Sequence, residues 1–134
     1  MSETADILWM DDDLEEQRPL IEIIKKELSA TITFASTISV AKSKLDEGDF
    51  KIVILDMLID RDTRGGLTVL RHISERVNAK PFRPPPNVII YTVNFGERVT
   101  DMFPNVSVDI ILKLGGARHF IELIERKLRD WKSA

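Results

Sequence analysis

Apolar residues recur along this chain in two alternating rhythms. Short aliphatic or β-branched runs at 7–10, 31–34, 52–55, 88–91 and 108–112 have the length and composition of strands. The run Ile52-Val53-Ile54-Leu55 has no polar interruption, which suits a strand buried on both faces in the middle of a parallel sheet. Between these runs the period changes to that of a helix. Leu20, Ile21, Ile24 and Leu28 predict a helix over about 14–28, in which Pro19 is tolerable only in the first turn. Ser36, Thr37 or Ser39 can cap a second helix that ends near Gly48 and turns Val40, Ala41 and Leu45 inward. Leu67, Leu70, Ile73 and Val77 predict a third over 67–77, after the paired Gly65 and Gly66. Phe120, Ile124, Leu128 and Trp131 predict a last one over about 117–131. Residues 94–103 are weakly patterned and hold at most a short helix. Pro81 and Pro84-Pro85-Pro86 stiffen the connection into the 88–91 run. A β-α order repeated five times predicts an α/β, doubly wound five-stranded parallel sheet with helices on both faces and right-handed crossovers.

With 134 residues the chain suits one domain, 1–134, with its core over about 7–131. A net charge of −3 gives no electrostatic case for nucleic acid, whose binders show a basic patch or stripe. The last helix mixes Arg118, Arg126, Lys127, Arg129 and Lys132 with Glu122, Glu125 and Asp130, which is a solvated face. There is no cysteine, so disulfides and thiolate metal sites are excluded. The polar, acidic start is unlike a secretory signal, and no apolar run approaches the ~18 residues of a membrane span, so the expected setting is cytoplasmic.

The chemistry is concentrated where strands end. Asp11-Asp12-Asp13 follows the first strand, Asp56 the central one, Thr92 the fourth and Lys113 the last. In a doubly wound sheet such positions converge at the crevice beyond the carboxyl ends of the strands. Acids can simply mark strand exits, but that reading fits one such end better than several together. Two or three carboxylates within ~4–5 Å repel by a few kcal/mol at an effective dielectric of about 20, so the cluster calls for a cation. Oxygen-only ligands select a hard ion, best Mg²⁺ with retained waters. Lys113 and Thr92 can meet phosphoryl oxygens, and Asp56 is the natural nucleophile for an aspartyl phosphate. Singly, Lys113 also reads as a salt-bridged surface lysine and Thr92 as a plain strand-end threonine.

Taken in order, Ile-Leu-Trp-Met-Asp-Asp, Val-Ile-Leu-Asp at Asp56, Gly66-Leu67, Ile-Ile-Tyr-Thr at Thr92 and Ile-Ile-Leu-Lys at Lys113 resemble the receiver domain of two-component response regulators, the CheY-like family, from Ile7 to about Trp131. That resemblance implies a flavodoxin-like fold with strand order 2-1-3-4-5. It implies that Asp56 is phosphorylated by a partner histidine kinase or phosphotransfer protein. Asp12, Asp56 and the backbone carbonyl of Leu58 would bind Mg²⁺ directly, and Asp11 largely through water. Thr92, the Val93 amide and Lys113 would hold the phosphoryl group. Several positions depart from the family: Ile110 stands where its switch aromatic is expected, Leu114 where a proline usually follows the lysine, and Val93 where a small residue follows the threonine. The loop 57–65 lacks Met-Pro and is about two residues longer. A Thr92-coupled aromatic rotation at 110 is therefore not the readout.

The leading expectation is a phosphorylatable signalling module that acts on a downstream partner or on an output domain outside this sequence. The alternative is a receiver-like interaction module that works without phosphorylation. An enzyme is not expected: aspartate-nucleophile phosphatases resemble Asp-x-Asp after the strand, whereas the next acid here is Asp60.

Overall fold

The protein is described from a computed structural model that covers residues 5–57, 64–79, 85–93, 102–113 and 117–133. Its centre is β3 (Phe50–Leu55), where Ile52, Val53, Ile54 and Leu55 are all wholly buried. Around it stand β1 (Ala5–Met10), β2 (Ile32–Ala35), β4 (Asn87–Thr92) and β5 (Ser107–Leu112), all parallel, in the order β2-β1-β3-β4-β5. Four helices are present among the described residues: α1 (Arg18–Leu28), α2 (Ile38–Glu47), α3 (Gly65–Ala79) and α4 (Ala117–Ser133).

The unbroken apolar runs follow from a sheet covered twice. Successive strand side chains point to opposite faces, so each run feeds two cores. Leu8, Met10, Val53, Leu55, Val88 and Ile90 meet Ala41 and Leu45 of α2 and Leu70 and Ile73 of α3. Ile7, Trp9, Ile52, Ile54, Ile89 and Tyr91 meet Ile21 and Ile24 of α1 and Phe120 and Ile124 of α4. Each of the larger aliphatic side chains among these stabilises the fold by about 1.5–3 kcal/mol through removal from water, which makes the register hard to slip.

Helix boundaries differ from the sequence expectations for local reasons. A helix from residue 14 would require an N–H at Pro19 to bond the Glu15 carbonyl, and proline has none. The chain instead makes turns over 14–17, with Gln17 N–H on Leu14 O and Arg18 N–H on Glu15 O, and α1 begins at Arg18 with the proline in its first turn. In α2 the inward positions are Ile38, Ala41 and Leu45, whereas Val40 is 39% exposed. At ~100° per residue, Val40 lies about 200° around the helix from Ile38, off that stripe. α3 begins at Gly65, two residues earlier than the apolar stripe, because Gly66 fits where no side chain would. Leu58, most of the 57–65 loop, 94–101 and Leu114 lie outside the described residues.

Of the three possible caps of α2, Thr37 takes the role. Its extended backbone lets the hydroxyl accept the Val40 N–H at 3.1 Å. Thr37→Ala is expected to cost about 1 kcal/mol, read as a lower urea midpoint at unchanged slope. An unchanged midpoint would refute the cap.

Candidate functional site

Strand register assembles the site. Met10 pairs with Leu55, Leu55 with Ile90, and Thr92 with Leu112. The ladder continues one step past two strands, with Asp11 N–H on Ala35 O at 3.1 Å and Asp56 N–H on Met10 O at 3.1 Å. Asp11 and Asp56 thus stand side by side at the carboxyl edge, with Thr92 ending β4 and Lys113 just past β5 beside them.

The side chains are tied together. Lys113 Nζ donates to Asp56 Oδ2 at 2.7 Å and to Asp11 Oδ2 at 2.9 Å. Thr92 Oγ1 donates to Asp56 Oδ1 at 3.1 Å. The Asp13 amide donates to Asp11 Oδ1 at 2.9 Å, a local turn that holds the Asp11 carboxylate from behind. Asp12 is exposed, yet it offers a carboxylate oxygen to a set with Asp11 and Asp56 whose atoms all lie within 4.8 Å of one another. Asp56 keeps 7% of its side-chain surface and Asp11 1%, so both are buried at the floor while Asp12 forms the open rim.

Electrostatics follow from this crowding. Burial pushes the Asp11 carboxyl above its ordinary value, against the hydrogen bonds from the Asp13 amide and Lys113, which pull it down. Burial acts to lower the Lys113 ammonium, but its bonds to Asp56 and Asp11 outweigh that and hold it above its ordinary value. Lys113 is shared between two buried acids, and Asp12 brings a third carboxylate close to them. The donor set, three carboxylates within reach of one point, suits a small hard ion.

Two further features border Asp56 and Lys113. Gly66 N–H bonds Met57 O at 3.1 Å, and a Cβ on Gly66 would stand 2.7 Å from the Asp56 carbonyl oxygen. The glycine lets α3 start hard against the backbone of Asp56. The second feature is aromatic. Tyr91 lies beneath Lys113, whose Nζ is 5.6 Å from the ring centroid. Its signal in the sequence is slight: it directly precedes Thr92, on the alternate face of the strand.

The structure therefore brings together Asp11, Asp12, Asp56, Thr92 and Lys113. Leu58, expected to offer its carbonyl, lies outside the described residues. Val93 is 53% exposed. Ile110 packs, partly buried, against the core on the α3 side.

No protein-family model matches the chain, and no curated protein does either. Solved structures are informative. The CheY-like response regulator receiver domain protein of Methanospirillum hungatei superposes with a TM-score of 0.73 at 20% identity, covering 98% of each chain. The response regulatory domain of protein MrkE of Klebsiella pneumoniae gives 0.73 at 17% identity, covering 96% of this chain and 99% of that one. NtrX of Brucella abortus gives 0.68 at 21% identity, covering 97% of this chain but 27% of that one. Five parallel strands in the order 2-1-3-4-5, wrapped by helices on both faces, give this chain the fold of the response regulator receiver domains.

Proposed function

We propose that the chain is a phosphoacceptor module in which Asp56 accepts a phosphoryl group from a histidine kinase or phosphotransfer protein, and that this changes its binding to a downstream partner. The observation that carries the reading is the hydrogen-bonded set at the acceptor: Thr92 on one Asp56 oxygen, Lys113 on the other, and Asp11 and Asp12 within reach of the same point. An Asp56 oxygen attacks phosphorus, the P–N bond of a phosphohistidine breaks, and its electron pair stays on the imidazole nitrogen, which takes up a proton. The product is an acyl phosphate. Thr92 and Lys113 are poised to turn from Asp56 to the new phosphoryl oxygens and to offset charge that builds there. Asp11, Asp12 and Asp56 would hold Mg²⁺, Asp12 and Asp56 directly and Asp11 largely through water. When bound, that ion would supply the positive charge that lets an anionic donor approach three carboxylates.

The chain is proposed as a carrier, not a turnover enzyme, and its proposed setting is the cytoplasm. Among the described residues no helix is long and apolar enough to cross a membrane. The match spans about a quarter of NtrX, which is consistent with a unit of this fold standing within a longer protein. The test is incubation with acetyl phosphate and Mg²⁺, followed by intact mass and peptide mapping. One added phosphoryl group on the Asp56 peptide is expected. No gain, or a gain elsewhere, would sink the proposal.

One observation favours the second reading, an interaction module that needs no phosphate: Ile110, an aliphatic residue partly buried against the core, stands where the family's switch aromatic is expected. Partner binding indifferent to both phosphorylation and Asp56→Ala would select it.

A further inference from the structure

Three aromatic rings lie directly under the acceptor, each within two residues of a site residue or on the helix that follows one. Trp9 precedes Asp11 by two positions, Tyr91 immediately precedes Thr92, and Phe120 is in the first turn of α4, seven residues beyond Lys113. Tyr91 and Phe120 stack with centroids 4.1 Å apart and planes 2° from parallel. Trp9 meets both edge-on, at 6.4 Å and 5.7 Å. Trp9 and Phe120 are wholly buried and Tyr91 is 6% exposed. The upper face of this cluster carries the Lys113 ammonium, 5.6 Å from the Tyr91 centroid.

Lys113 is thus bonded to Asp56 and Asp11 while its charge sits over an aromatic face. An ammonium within ~6 Å of a ring centroid is attracted by the ring, so moving it changes the energy of the stack below. Tyr91 is fixed in β4 and Trp9 in β1. Phe120 is the member carried by a helix, and helices shift on a sheet more readily than central strands do. On the other face Ile110 is an aliphatic side chain partly buried against the core, with no ring to rotate.

We propose that the Tyr91–Phe120 stack couples the state of the acceptor to α4, so that the response to phosphorylation is read from the last helix. This rests on the phosphoacceptor reading. Transfer of Lys113 from the Asp56 carboxylate to a phosphoryl oxygen alters its position over Tyr91, the stack re-packs, and the first turns of α4 respond.

The chain has two tryptophans, so Trp131→Phe leaves Trp9 as the sole reporter. In that background, beryllofluoride with Mg²⁺ serves as a phosphoryl mimic. Its binding is followed by ¹⁹F NMR, Trp9 by emission, and α4 by amide hydrogen exchange. Bound mimic is expected to shift Trp9 emission and to change exchange in the first two turns of α4 by about threefold or more. Tyr91→Phe, which keeps the ring face, retains both responses. Tyr91→Leu and Phe120→Leu, checked for folding by circular dichroism, still bind the mimic but lose both. A bound ¹⁹F signal with unchanged Trp9 and α4 in the Tyr91-containing protein would overturn this inference alone. So would responses that survive Tyr91→Leu. No bound signal at all would overturn the phosphoacceptor reading and this inference with it. If both leucine variants are unfolded, the Tyr91→Phe comparison with Phe120→Tyr decides: loss of the α4 response despite both rings overturns the coupling.

Discussion

Lys113→Met is expected to lower stability by about 3 kcal/mol at neutral pH in the absence of divalent ions, and to slow phosphoryl uptake by about 10²–10³-fold. The lysine bonds two acids that are themselves buried, Asp56 at 2.7 Å and Asp11 at 2.9 Å. Methionine matches the stem and removes the charge, which takes the Lys113 ammonium away from two neighbouring buried carboxylates. The loss is that of breaking a buried pair, not the small value of a surface one. Protonation relieves such a defect. Burial already holds the Asp11 carboxyl above its ordinary 3.8, and loss of the lysine pushes it higher. A raised folded value means stability present below the unfolded value and lost as pH rises through the folded one. The deficit of the variant therefore shrinks as pH falls from 7 toward 4. Lys113 itself is held above 10.5, so wild type loses its share of stability as pH rises past that raised value, and the variant shows no such alkaline loss. Millimolar Mg²⁺ should restore much of the deficit, because a divalent ion among Asp11, Asp12 and Asp56 replaces the missing charge. Denaturant titrations across pH, with and without Mg²⁺, check each part. A variant as stable as wild type at pH 7 would show that Lys113 is not the counter-charge.

How much of this was legible in the sequence depends on which interaction decides each feature. The strands were legible because a sheet covered on both faces demands unbroken apolar runs, and Ile52 to Leu55 has no other comfortable environment. The five candidate side chains were legible for a related reason: each polar group follows an apolar run, and topology alone carries strand ends to one edge. Helix starts were less legible. Whether residues 14–17 or 18 opens α1 turns on one missing N–H at Pro19, and the apolar stripe is silent on that. Val40 misleads because helical phase, not hydrophobicity alone, sets the inward stripe: Ile38, Ala41 and Leu45 form it and Val40 falls outside it. The aromatic cluster was illegible for a deeper reason. Trp9, Tyr91 and Phe120 are far apart in the chain, and only the register of β1, β3 and β4 with the seating of α4 stacks Tyr91 on Phe120 with Trp9 edge-on to both. Asp13 belongs to the same class. It reads as a third acid of a cluster, but its described contribution to Asp11 is a backbone N–H.

Gly66→Ala is expected to destabilise the protein by about 2 kcal/mol and to slow phosphoryl uptake by up to about 10²-fold in the fraction that remains folded. Two effects oppose each other here. Alanine in a helix gains up to about 1 kcal/mol over glycine through reduced freedom of the unfolded chain. Against that, its Cβ would stand 2.7 Å from the Asp56 carbonyl oxygen and 3.1 Å from both Met57 Cα and Met57 Sδ. The thioether can move aside, but the first two are backbone atoms of the segment that carries Asp56. Overpacking against atoms that cannot yield costs about 1–3 kcal/mol, so steric repulsion wins. The relief it forces is a shift of the start of α3 away from the sheet or of Asp56 itself, and a misplacement near 1 Å can cost about two orders of magnitude in a positioned reaction. Gly48 is the control. A Cβ there meets nothing within 4 Å, and its φ of −157° is open to any residue. Gly48→Ala should therefore stay within about 0.5 kcal/mol of wild type and take up phosphate at the normal rate. Equal behaviour of the two variants would mean that the closeness of α3 to Asp56 has no part in placing that side chain. Loss of rate in Gly66→Ala alone, at conditions where both are folded, ties the first turn of α3 to the chemistry through a single missing methyl group.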